Sequence, residues 1–288
     1  MRRLAEFIMR GRTQALIVSC LSAGTVFFFW LGAAAVALVT LRKGIAEGLQ
    51  ILVWAILPAV AVLYFGKEFA PLTALIGSFV CAAILRQMVS WPPALLGASL
   101  CGLATGAVLL LFAGDYIAMI KQVVDDIFVQ WQAQMAEQGN SLPLSPPTVE
   151  FIVGVFALVN ALTVVVCVVL ARYWQAMLYN PGGFREEFRA IRLPVTLALP
   201  LGTVALACLL QGGAWIPWAY LAAVPLLVAG ISLVHGMVAL KQWKFHWLVL
   251  FYGLLVLINP VKELVILAGL VDSWANFRKR PANPAGGA

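Results

Sequence analysis

Apolar stretches recur along this chain at about 15–41, 45–65, 70–87, 93–113, 150–171, 193–211, 215–240 and 247–276. An α-helix needs roughly 20 residues to cross a hydrocarbon core about 30 Å thick, so the six middle blocks have the length of single spans. The first and last are longer, and each fits either one tilted helix or two short helices folded back on themselves. Residues 114–148 break the pattern. There Tyr116, Ile117, Ile120, Val123, Val124, Ile127, Trp131 and Met135 recur at i, i+3, i+4, i+7 spacing, with Asp125, Asp126, Gln130, Gln132, Gln134 and Glu137 between them. This spacing predicts an amphipathic helix. The Gly/Pro/Ser-rich run 139–148 then forms a linker into the next span.

Composition agrees with a bilayer protein. Of 288 residues, 63% are hydrophobic and 11% charged, far from the roughly 45–50% and 25% of soluble domains. The mean hydropathy is +0.97. The net charge of +7 does not indicate nucleic acid, because the basic residues border apolar spans and no basic patch interleaved with aromatics is present. The N-terminal MRRLAEFIMRGRTQ resembles a signal n-region but lacks an A-x-A cleavage site, so the first segment is expected to be retained. Cys20, Cys81, Cys101, Cys167 and Cys208 all lie in apolar runs without C-x-x-C spacing, as packing residues would.

Loop charges select a topology, because cytoplasmic loops are enriched in Lys and Arg. If every block crosses once, the basic residues divide almost evenly between the two sides. If the first block turns back near Gly32 and the last near Asn259-Pro260, all of them except Lys67, Lys121 and the embedded Lys262 fall on one side. This second arrangement is expected, with both termini cytoplasmic and the 114–148 helix periplasmic. Its hairpin arms are short, and short re-entrant helices are tolerated where other helices shield them.

Candidate chemistry is sparse. No G-x-x-x-x-G-K-[ST], G-x-S-x-G or H-E-x-x-H motif occurs, so no enzyme, resident ATPase, cofactor or metal site is expected. His235 and His246 stand apart from any Cys or Asp cluster. The remaining intramembrane polar residues are candidates for binding a small molecule, since such groups are costly in lipid and face a cavity or one another. These are Asn160 in mid-span and Asn259, Lys262 and Glu263 around a proline break, with Lys67 and Glu68 at the periplasmic mouth. Together they are expected to line one periplasm-facing pocket. The segment 171–194 holds the turn Asn180-Pro181-Gly182-Gly183 and a charged short helix, read either as a solvated face with interfacial anchors or as a docking surface.

Three stretches carry a family likeness: LRKGIAEGL (41–49), LARYWQ…NPGGFREEFRAIRLP (170–194) and GLVDSWANFRKR (269–280). With them the chain resembles the YybS-like family of bacterial inner-membrane proteins. Its first part is also similar to the substrate-capturing S components of energy-coupling factor transporters, whose Gly-x-x-x-Gly turn Gly44 and Gly48 match. That resemblance implies docking on energising membrane or ATPase subunits through small residues spaced by four, here Ala15, Ser19 and Ala23. Additional spans after residue 190 and the long insertion depart from the S-component pattern.

The expected fold is all-α, a polytopic transmembrane helix bundle in the bacterial inner membrane. It divides into an N-terminal bundle (1–113), the amphipathic helix with its linker (114–148) and a C-terminal bundle (149–288). The expected function is a small-molecule substrate-binding or transport subunit that needs a partner for energy. A non-transporting scaffold for envelope assembly is the alternative.

Overall fold

The computed structural model describes residues 1–138 and 145–278; residues 139–144 of the linker, and Lys279 and Arg280 of the charge argument, lie outside them. The described residues are all-helical. Five helices are long and apolar enough to cross a membrane, and a sixth crossing is possible if the bent pair near the C-terminus is one span. The chain is a multi-pass membrane protein.

Two short helices open the chain, α1 (Arg2–Arg10) and α2 (Arg12–Ala23), separated by an extended Gly11. α1 buries Ala5 and Ile8 and leaves its arginines outside. After a turn at 24–28 comes α3 (Phe29–Lys43), in which every residue from Gly32 to Leu41 is buried. The first block is therefore a hairpin of short arms, and its turn at 24–28 falls four to eight residues before the expected Gly32. Gly32 has a different task. A Cβ there would lie 2.9 Å from the Ser19 carbonyl oxygen, so glycine lets α2 and α3 touch backbone to backbone.

Gly44, with φ +120°, turns the chain into α4 (Ile45–Gly66). Gly48 then seats against α3, since a Cβ there would meet Thr40 Oγ1 at 2.0 Å. The spans α5 (Ala70–Met88) and α6 (Trp91–Phe112) follow, each begun by prolines in its first turn, where the missing N–H has no helical partner to lose. α7 (Gly114–Glu137) is the helix that the spacing predicts; of its residues only Ile117 is buried. α8 (Val149–Tyr179) is the longest helix and packs on α3, α5 and α6. Its packing joins it to the N-terminal bundle, although the sequence division places it in the C-terminal half.

A short helix α9 (Gly183–Arg189) leads to α10 (Val195–Gln211), a 3₁₀ turn (Gly213–Trp215) and α11 (Ile216–Leu240). α11 is the seam of the molecule. One side meets α6 and α8, and the other meets α10 and α13 (Asn259–Ala275) through Leu226 and Ala229, against Ala198, Ile266 and Leu270. α13 is preceded by α12 (His246–Leu257), and the two are bent by 115° at Ile258. Pro260 lies in the first turn of α13, so it starts a helix there. α13 runs back alongside α11 to the end from which α12 set out.

That end collects Arg12, Arg42, Lys43, Arg86, Arg172, Arg185, Arg189, Arg192, Lys241 and Arg278, and we call it the basic end. Lys67 and α7 lie at the opposite end.

The α11–α13 contact depends on two glycines. A Cβ on Gly230 would stand 2.1 Å from the Val265 carbonyl oxygen, and one on Gly269 would stand 2.3 Å from that of Leu226. Gly230→Leu is expected to force the helices apart and lower stability by about 1–3 kcal/mol or more, as overpacking does. Gly253→Leu, on a face with nothing within 4 Å, is expected to be neutral. Thermal unfolding of the detergent-solubilised variants measures both.

Candidate functional site

The sequence-selected polar residues fall in three separate places. Asn160 is buried between α8 and α6, where its amide donates to Thr105 Oγ1 at 2.9 Å, and Thr105 donates to the Cys101 carbonyl at 2.9 Å. Lys67 ends α4 in the left-handed conformation, its ammonium 5.6 Å from the Tyr64 ring centroid. Glu68 lies near Tyr116, whose phenol is pushed up by burial and by that carboxylate. Asn259 and Glu263 border a shallow, open groove of about 440 Å³ at the hairpin bend, with Pro260, Leu264 and Leu267. Glu263 accepts a hydrogen bond from the Tyr220 hydroxyl, and Lys262 is half-buried. Ala15, Ser19 and Ala23 are fully buried inside the bundle rather than on its surface.

Polar chemistry is denser at the basic end, where the segments 41–49, 170–194 and 269–278 converge. The Leu41 carbonyl, left without a helical donor where α3 ends, accepts from Arg86 and from Gln175 at 3.4 Å. Arg172 donates to Gln175 at 2.6 Å and grips Glu187 of α9 through Nε at 2.9 Å and a terminal nitrogen at 2.7 Å. Trp91 Nε1 donates to the same carboxylate at 2.7 Å. Arg42 stacks over the Tyr179 ring at 3.9 Å.

The DSWANFR run makes a second lock. Asn276 adopts the left-handed conformation that ends α13, and the Phe277 N–H donates to Asp272 Oδ1 at 3.0 Å. Arg278 then folds back, donating to the carbonyls of Arg189 (2.6 Å) and Ile191 (2.9 Å) and to Asp272 Oδ2 (3.1 Å). Arg192 donates to the carbonyls of Asp272 and Ser273. Burial pulls the Arg278 guanidinium below its ordinary pKa, and the Asp272 charge pulls it back. These arginines are structural cement.

Between the two locks opens a cleft of about 960 Å³, bounded by the ends of α8 and α11, by α9 and by α12. A continuous string of rings forms its wall. Tyr173 meets Phe184 edge-on at 6.0 Å, Phe184 meets Phe188 at 5.7 Å, Phe188 meets His235 at 5.3 Å, and His235 meets Tyr252 at 5.8 Å. The last pair also shares a hydrogen bond of 2.8 Å from ring nitrogen to hydroxyl, which ties α12 to α11. Arg2, Arg185, Arg189 and Gln242 supply the polar lining, and no carboxylate takes part. This size and mixture, mostly apolar with a few convergent polar groups, is that of a small-molecule site. The sequence reading takes 171–194 either as a solvated face with interfacial anchors or as a docking surface, and does not join its aromatic and arginine residues to a cleft. His235 and Tyr252 lie too far along the chain for local spacing to join them to Phe188.

No family model, curated protein or solved structure matches this chain.

The locks generate a stability prediction. Arg278→Met strips Asp272, which is 1% exposed, of its countercharge, and breaking a buried pair costs about 3–5 kcal/mol. Arg12→Met removes an exposed pair with Glu47 and is expected to cost less than about 1 kcal/mol. Comparative thermal unfolding distinguishes the two.

Proposed function

We propose that this protein is a small-molecule binding subunit of the bacterial inner membrane, of the transport class, drawing energy from a partner. The cleft at the basic end is the observation that carries this reading. It is large enough for a metabolite or lipid-like ligand, and it lies between a firmly locked wall, α8 with α9, and a lightly packed one, α12. The chain has no phosphate-binding loop with which to drive a cycle itself, so energy would come from outside. The likeness to YybS-like proteins and S components supports the same class. Positive-inside bias orients the basic end to the cytoplasm, so the ligand is met from the inner leaflet or the cytoplasm.

A scaffold role is the second reading, favoured by one feature. α7 projects from the opposite end with Val123, Ile127 and Trp131 exposed at i, i+4, i+8 spacing, a row that a partner protein could cover.

Ligand-induced thermal stabilisation of the purified chain across a metabolite and lipid panel tests the binding reading, because a specific ligand stabilises the native state by mass action. Ala239→Trp, which fills the cleft from α11, is expected to abolish the shift. Loss on Glu263→Gln with Ala239→Trp unaffected would return the site to the hairpin bend. A panel with no hit leaves the scaffold as the better account.

Orientation is checked separately, by labelling single cysteines in a cysteine-free background. Positions 43 and 241 are expected to react only from the cytoplasm, and positions 67 and 119 only from outside. The reverse pattern overturns the assignment.

A further inference from the structure

We infer that the cleft is built for an anionic amphiphile, a molecule with a phosphate or carboxylate head on an apolar or aromatic body. The inference rests on the binding reading above and specifies its ligand.

Charge is the first ground. Three guanidinium groups line the cleft without a carboxylate among them, which disfavours a cation and favours an anion. The three are not equally available. Arg2 is engaged with Glu6 at 2.9 Å. Arg185 and Arg189 make no side-chain hydrogen bond or ion pair among the described residues, whereas Arg172, Arg192 and Arg278 of the neighbouring locks are all engaged. Positive-inside bias accounts for exposed arginines, but not for Arg189. Its Nε–H, like that of Arg278, is shielded from solvent with no acceptor. Unlike Arg278, Arg189 has no hydrogen bond from its terminal nitrogens either among the described residues, and buried donors normally have a partner. An anion in the cleft supplies acceptors, and guanidinium suits oxyanions through its planar fork.

Depth is the second ground. Arg185, Arg189 and Gln242 lie at the mouth, beside the ends of α8 and α11. Val169 is ten residues inward from Tyr179, about 15 Å along α8, and Tyr252 is six residues into α12, about 9 Å. The lining thus passes from cationic at headgroup level to aromatic and aliphatic beneath it. A charged head with an apolar body matches that gradient; a free oxyanion matches only its mouth.

Such a ligand has two sources, a lipid of the inner leaflet or a soluble amphiphilic anion. The probes are dioleoyl phosphatidylglycerol, dioleoyl phosphatidylcholine, naphthyl phosphate and inorganic phosphate, each titrated against the full chain in neutral detergent with thermal stability as readout. The glycerolipid or naphthyl phosphate is expected to bind at least ten-fold more tightly than phosphatidylcholine and inorganic phosphate. Whichever of the two wins identifies the source. Arg185→Gln with Arg189→Gln is expected to weaken that binding at least ten-fold, and the corresponding lysine variants are expected to restore part of it. Arg185→Gln alone, at an exposed position, is the check should the double variant not fold. Arg42→Gln with Lys43→Gln, at the same end but outside the cleft, is expected to have no effect.

Equal binding of phosphatidylcholine overturns the inference, as does equal loss with the Arg42/Lys43 pair, which would mean general surface charge. Indifference to the arginine variants overturns it too. In those cases, a ligand still blocked by Ala239→Trp preserves the binding reading. If Ala239→Trp affects no ligand, this inference falls together with the cleft as the binding site.

Discussion

The architecture depends on burying a helix that is too short for the membrane. α3 has 15 residues, about 22 Å of rise against a hydrocarbon core of about 30 Å. A lipid-facing helix of that length would leave its terminal carbonyls in or near hydrocarbon. Here α2, α4, α5 and α8 enclose it, and its Gly32–Leu41 run, rich in alanine, lets all four approach. Enclosure removes α3 from lipid but also denies water to its carboxyl end. The Leu41 carbonyl must find donors in the protein, because an unsatisfied backbone group at that depth costs several kcal/mol. Arg86 of α5 and Gln175 of α8 supply them, and so the cap on α3 also pins the ends of two spans.

The same requirement extends to the cleft. Gln175 is itself held by Arg172, and Arg172 holds Glu187, fixing α9 across the basic end. α9 then presents Phe184 and Phe188 to the ring string and Arg185 and Arg189 to the cleft. From the opposite side, Arg278 grips the carbonyls of Arg189 and Ile191 just past α9. The cleft wall is therefore rigid because the end of a buried helix had to be satisfied. The arginines divide by role: those facing carbonyls and carboxylates hold the fold, and Arg185 and Arg189 of α9, facing the cleft, make no side-chain hydrogen bond or ion pair among the described residues.

Much of this was legible locally. Apolar block lengths and loop charge point to the hairpins, and i, i+4 spacing places α7 close to its observed bounds. What local pattern misses is which helix a glycine serves. Gly32 looks like a turn because small residues permit one, yet it is small because Ser19 lies against it. Ala15, Ser19 and Ala23 look like a docking stripe for the same reason, and they turn inward toward the bundle. The intramembrane polar residues raise a related difficulty. Asn160 is conspicuous in sequence because its burial is costly, and it is tolerated because Thr105, 55 residues away, accepts its amide hydrogen bond. Spacing cannot reveal such a partner. The segments 41–49, 170–194 and 269–278, far apart in sequence, meet in space at the Leu41, Glu187 and Arg278 contacts, which gives each a structural reason independent of any ligand.

The two walls of the cleft differ in a way that bears on how a ligand gets in. α12 has no buried residue, and its described polar tie to the body is the His235–Tyr252 hydrogen bond. Its remaining hold is apolar contact, which offers little advantage over lipid inside a bilayer, since acyl chains are as apolar as its leucines. Displacing α12 therefore costs little beyond that one hydrogen bond, while displacing α9 breaks Arg172, Trp91 and Arg278 contacts together. A ligand arriving from the leaflet meets the yielding wall first. On the proposed binding reading, its apolar body would replace the α12 contacts on the ring string while its head meets the α9 arginines, and any difference in affinity between two conformations would then fall at α12.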